Sequence, residues 1–148
     1  LTTAEYKFCK IKGEKQMKQV SAGVICRNGK ILICQRPEGK TLAGYWEFPG
    51  GKLEEGETMP ECLKRELKEG LGIDAQIGKF FMESAYKYDF GEIALSVYFA
   101  EIDAAQELIL NVHPRAEWID PADLDKYTFA PADLPITAEL KKYFAGQR

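Results

Sequence analysis

Apolar residues between Gln19 and Arg36, in the stretch QVSAGVICRNGKILICQR, alternate in a way that fills both faces of a hairpin. Asn28-Gly29 suits a two-residue type I′ turn, in which both residues take positive φ. That turn pairs Arg27 with Lys30 and Cys26 with Ile31. Val24, Cys26, Ile31 and Ile33 then share one face, and Ile25, Leu32 and Cys34 share the other. A strand pair apolar on both faces needs a covering layer on each side.

The rest of the chain supplies those layers. Tyr45 to Phe48 reads as a short strand stopped by Pro49-Gly50-Gly51. Thr58 to about Leu71 reads as a helix, with Thr58 as N-cap, Pro60 in the first turn and Glu61 completing a capping box. Two long strands, IDAQIGKFFMESAYKYDF and EIALSVYFAEI, meet around Gly91. Short strands are expected near Glu107 to Leu110 and around Trp118. A turn of helix follows from Pro121 to Leu124, and a closing helix runs from Leu134 or Pro135 to Phe144. The sum is an α/β fold with a mixed sheet between helices. Residues 17–148 are expected to form a single domain, with residues 1–16 as an extension that adds little to the core.

The helix after Thr58 carries an anomaly. At about 100° per residue, Glu66 falls within about 60° of Met59, Cys62 and Leu63, and nearly opposite Lys64 and Lys68. The lysines mark the wet face, so Glu66 points inward, and Glu69 flanks that same face. A carboxylate in dry surroundings must be paired, protonated or metal-bound. Arg65 is placed to pair with an acid from the preceding loop, which holds Glu54, Glu55 and Glu57. A hard divalent cation is the other solution, since glutamates at i and i+3 present their oxygens together.

Composition narrows the field. With 148 residues, a net charge of −3 and a single histidine, the chain suits neither a general nucleic-acid binder nor a Cys/His zinc site. Its four cysteines show no C-x-x-C spacing, which points to a reduced, cytoplasmic setting. No apolar run is long enough to span a membrane, and the first residues show no secretory h-region.

The stretch from Gly51 onward resembles the Nudix hydrolase signature, G-x5-E-x7-R-E-U-x-E-E-x-G-U, where U is a bulky aliphatic. It reads Gly51, Glu57, Arg65, Glu66, Leu67, Glu69, Gly70, Gly72 and Ile73. The hairpin ending in Gln35-Arg36, WEFPGGK and FAPADLPI are similar to the MutT-like branch, of the 8-oxo-dGTP or (d)CTP pyrophosphohydrolase type. The resemblance implies an α/β/α sandwich with a loop–helix–loop catalytic motif. It implies Mg²⁺- or Mn²⁺-dependent hydrolysis of a nucleoside triphosphate, CTP-like or an oxidised dGTP, to the monophosphate and pyrophosphate. Metal would be held by Glu66, Glu69 and the carbonyl of Gly50, with Glu66 serving alternatively as base. Arg65 and Glu57 would brace the loop, and Arg36 would reach phosphate or base. The partner would be a small-molecule nucleotide, with no nucleic-acid polymer and no membrane, bound by a monomer or homodimer.

One fixed position departs: Gly70 stands where the family has the second glutamate of its E-E pair. Val112 occupies a place where several MutT-like enzymes carry a further acid. Two readings compete: an enzyme working with a modified site, and a catalytically impaired domain that binds nucleotides or regulates. Asp133, in FAPADLPI, either faces the base edge and accepts from an exocyclic amine such as cytosine N4, or caps the closing helix. Phe80, Phe81, Tyr86, Tyr88 and Phe90 are divided between core packing and stacking on a base.

Overall fold

The structure, a computed structural model, describes residues 17–146. The extension expected over residues 1–16 lies outside the described residues. The strands are β1 (Met17–Arg27), β2 (Lys30–Gln35), β3 (Trp46–Glu47), β4 (Gly50–Lys52), β5 (Gln76–Tyr88), β6 (Gly91–Glu101) and β7 (Arg115–Ile119). The helices are α1 (Met59–Leu71) and α2 (Leu134–Ala145), with 3-10 turns at Pro121–Lys126 and Pro131–Asp133.

The hairpin forms as its turn chemistry dictates. Asn28 and Gly29 take φ of 53° and 76°, and Cys26 pairs with Ile31 and Arg27 with Lys30. Along the sheet the order is β3-β2-β1-β6-β5, with β7 paired to β2 and β4 to β1. It is mixed: β1 runs parallel to β6 from Met17↔Glu92 to Cys26↔Glu101, and the other pairings are antiparallel.

Both faces are covered. On one, Val24, Ile31, Ile33, Leu95 and Val97 pack with Leu124, Phe129, Ile136 and Leu140 from the C-terminal elements. On the other, Ile25, Leu32 and Cys34 pack with Leu63, Leu67 and Leu71 of α1 and with Ile73. Each such aliphatic side chain, fully buried, contributes about 1.5–3 kcal/mol. Helix on sheet on helix gives the expected α/β/α sandwich.

Two expectations are corrected. Pro49-Gly50-Gly51 does not simply end a strand: Gly50, Gly51 and Lys52 pair with Ala22, Ser21 and Val20 as β4. The N-terminal half of β1 thus takes β4 as its neighbour where the C-terminal half takes β2, and Gly23 at the fork donates to Pro49 O at 2.8 Å. Glu107 to Leu110 forms no strand. Its backbone is spent on the end of α1, where Ile109 N donates to Leu71 O at 2.9 Å and Asn111 N to Gly70 O at 3.1 Å. Those carbonyls have no partner within the helix, so the loop satisfies them instead of joining the sheet.

Candidate active site

The orientation of α1 is fixed at its start. Thr58 Oγ1 accepts from the Glu61 N–H at 3.2 Å, and Glu61 Oε1 accepts from the Thr58 N–H at 2.9 Å. This box sets the rotation that brings Leu63 and Leu67 to the sheet and Glu66 to the glycine strand. A β-carbon at residue 51 would overlap the Glu66 carboxylate, and one at residue 50 would overlap the carbonyl oxygen of Ser21. The two glycines therefore let backbone and acid approach as close as a bare chain allows. Glu66 is mostly sheltered, with 25% of its side chain exposed, whereas Glu69 is 62% exposed.

Arg65 sits at the centre of the acids. Its Nε and Nη2 donate to the two oxygens of Glu57 at 2.6 and 2.9 Å, and Nη2 also donates to Lys52 O at 3.0 Å. Its Nη1 lies 2.9 Å from Glu66, 3.2 Å from Glu69 and 3.6 Å from Glu54. The hydrogen bonds from Arg65 hold the Glu57 carboxyl down at about 2, and those from Glu57 push the guanidinium further up. Four carboxylates share one guanidinium, so the cluster carries surplus negative charge.

Glu66, of these acids, borders a cleft with two compartments. A cavity of about 460 Å³ is lined by Arg36, Glu47, Phe48, Tyr88, Phe90 and Asp133, among others. A second, of about 210 Å³, is lined by Arg36, Lys40, Glu47, Glu66, Gly70 and His113, among others. Arg36, Lys40, Glu47 and Gly50 line both, so the Arg36–Glu47 pair lies where the two compartments meet. Glu47 Oε1 accepts from Arg36 Nη1 and Glu47 Oε2 lies against His113 Nε2, each at 2.9 Å. Arg36 also donates from Nε to Thr41 O at 2.7 Å and from Nη2 to Thr41 Oγ1 at 3.1 Å. One N–H thus remains on each of its terminal nitrogens.

Asp133 is buried at the larger cavity. It does not cap the closing helix, as no side-chain cap bond forms there. Its Oδ1 accepts instead from the Phe48 N–H at 3.1 Å, and burial, reinforced by the Glu47 charge, raises its carboxyl to about 8. The strand aromatics divide. Phe81 packs against Phe99 and Tyr143 at the core, while Tyr88 and Phe90 stack at 4.9 Å on the cavity wall.

The NUDIX domain pattern matches residues 17–140. The chain belongs to the Nudix family. The CTP pyrophosphohydrolase of Escherichia coli is 37% identical over 82% of this chain and 89% of its own length. The 8-oxo-dGTP diphosphatase of the same organism is 33% identical over 84% of this chain and 96% of its own. The solution structure of the E. coli ORF135 protein superposes with a TM-score of 0.77 at 34% identity, covering 93% of this chain and 97% of that one.

Nudix hydrolases use a divalent metal. The residues here fit one: Glu66 lies in a cradle that a β-carbon at residue 51 would fill, hard oxygens converge, and the cluster has negative charge to offset. Among the described residues, no three His, Cys, Asp or Glu side chains stand together as a ready ligand set. That agrees with how Mg²⁺ binds, through one or two carboxylates with water and phosphate oxygens completing the shell.

Sequence reasoning passed over two residues of this Nudix cleft, Glu47 and His113. Strand alternation carried the signal for Glu47, because Trp46 is buried in the core and its neighbour must face the other way. His113, the single histidine, sits beside an exposed Val112 and had no pattern to mark it. Gly70 lies with Glu66 on the smaller cavity, as the helical wheel requires, and nothing stands within 4 Å of a β-carbon built there.

Proposed function

We propose that this chain hydrolyses a nucleoside triphosphate to the monophosphate and pyrophosphate with Mg²⁺ or Mn²⁺, and that its preferred base is cytosine or oxidised guanine. The observation that carries the reading is the Glu66 carboxylate lodged over Gly51 at the edge of a cleft large enough for a nucleotide. The names of the two E. coli relatives, one acting on CTP and one on 8-oxo-dGTP, support it.

Glu66, Glu69 and the Gly50 carbonyl are the groups that would hold the cation. A cation held there would supply charge to offset the phosphate oxygens and would lower the pKa of a water. If Glu66 serves instead as base, it takes the proton of the attacking water while that oxygen bonds to phosphorus, the bridging P–O bond breaks and the departing phosphate oxygen carries the released charge. Arg65, braced by Glu57, orients Glu66 and Glu69 through one shared nitrogen. The free N–H groups of Arg36 meet phosphate oxygen.

In this reading Asp133 meets the base edge. A buried carboxyl with no cation bonded to it stays neutral near pH 7, so it offers an O–H donor beside a C=O acceptor. Cytosine presents the complement, acceptor N3 beside the N4 amine. Oxidised guanine does so too, with O6 beside an N7–H. Pyrophosphate release across normal and oxidised nucleotides tests the reading: CTP, dCTP and 8-oxo-dGTP are expected to lead. Nucleotide binding without release from any of them would give the impaired-domain reading instead.

A further inference from the structure

His113 pairs oddly for a structural residue. Its side chain is only 9% exposed, and Nε2 lies 2.9 Å from Glu47 Oε2, yet Nδ1 is buried with no partner. The Glu47 carboxyl already accepts from the Arg36 guanidinium, and we assign it the accepting role here too, with the hydrogen on Nε2. Burying the other nitrogen unpaired costs about 1–3 kcal/mol. An apolar ring would fill the same space without that cost. What the imidazole adds is one N–H aimed at Glu47.

The Glu47 carboxylate is thereby held open. One oxygen faces Arg36 and the other faces His113. Without the second donor, a carboxylate beside a guanidinium rotates to take two parallel N–H bonds. Such closure would draw a further Arg36 N–H out of the cleft. We propose that His113 is a positioning residue: it pins Glu47 where the two cavities meet and so keeps Arg36 turned toward the polyphosphate. The proposal rests on the reading of this cleft as a nucleotide site.

The chain has one histidine, so its ring ¹⁵N spectra contain a single residue's signals. The Nε2-protonated tautomer is expected in the parent, and Glu47→Ala should release it to a mixture. A mixture already present in the parent, or signals indifferent to Glu47→Ala, overturns the proposal. In kinetics, His113→Phe should raise KM for the triphosphate about tenfold, with kcat held within about threefold. His113→Gln, which keeps an N–H donor, should recover most of the loss. His113→Phe should add nothing in a Glu47→Ala background. An unchanged KM, or full additivity of the two variants, overturns it. If the Phe variant does not fold, His113→Met against His113→Gln makes the same comparison. A parent that releases no pyrophosphate from any nucleotide defeats the proposed reaction, while the ring spectra still decide whether His113 holds Glu47.

Discussion

Arg65 meets both oxygens of Glu57 at once, Nε at 2.6 Å and Nη2 at 2.9 Å, and its remaining nitrogen reaches Glu66 at 2.9 Å and Glu69 at 3.2 Å. Only a planar fork makes these contacts together, so lysine is no substitute. Arg65→Lys should lower kcat/KM by about ten- to a hundredfold and weaken cation binding. It also changes acid stability. The Glu57 carboxyl is held at about 2 against an ordinary 4.5, so its contribution is present above the ordinary value and lost as pH falls through the folded one. In Arg65→Lys this contribution should be smaller and exhausted at a higher pH, so the acid-unfolding midpoint read by circular dichroism should move up.

Glu66 and Glu69 should not be equivalent. Glu66 is sheltered over Gly51, and Glu69 is more than half exposed. Glu66→Gln keeps shape and removes charge. It should cost about a hundredfold or more in rate. Calorimetric Mn²⁺ titration should show weaker binding for both variants, with the smaller loss for Glu69→Gln. Equal losses would mean that burial does not rank these two acids.

Gly70 tests the departure from the family pattern. Space is open at its β-carbon, so Gly70→Ala should stabilise the helix by about 1 kcal/mol. A rise in thermal midpoint checks this. Gly70→Glu should gain similarly in helix propensity and also bring a carboxylate beside Glu66. Tighter Mn²⁺ binding and faster pyrophosphate release are the expected results. An unaltered rate would mean that the present acids suffice.

Asp133 gives a pH signature of the opposite sign. Its folded carboxyl sits at about 8 and its ordinary value is 3.8, so the folded state keeps a proton that the unfolded state gives up. Its contribution is present below the ordinary value, declines as pH rises between the two, and is gone above the folded one. Thermal midpoints from about pH 5 to pH 9 should therefore fall less steeply in Asp133→Asn than in the parent. The amide also keeps the donor–acceptor edge, so Asp133→Asn should retain CTP hydrolysis where Asp133→Leu loses it. An ionised carboxylate reading would reverse that order for Asn.

Much of this was legible in the chain because the signals are local. The Asn28-Gly29 turn, the Thr58–Glu61 box and the rotation of Glu66 each depend on residues within a few positions of one another. What escaped depends on partners far away. The Gly50–Lys52 strand exists because β1 has a free edge at Val20–Ala22, about thirty positions upstream, and no periodicity in three residues announces it. The loop at Glu107–Leu110 has strand-like composition, yet the end of α1 claims its N–H groups. Asp133 reads equally well as a cap, and only the fold shows that Phe48, 85 positions away, takes its oxygen.

The fork in β1 has a mechanical consequence. The parallel ladder with β6 runs unbroken through ten register pairs, while β4 is attached through three. The protein thus has a stiff keel and, beside it, a short glycine flap carrying the carbonyl next to Glu66. Amide exchange should be slowest along the keel and faster at residues 50–52, the shorter of the two attachments.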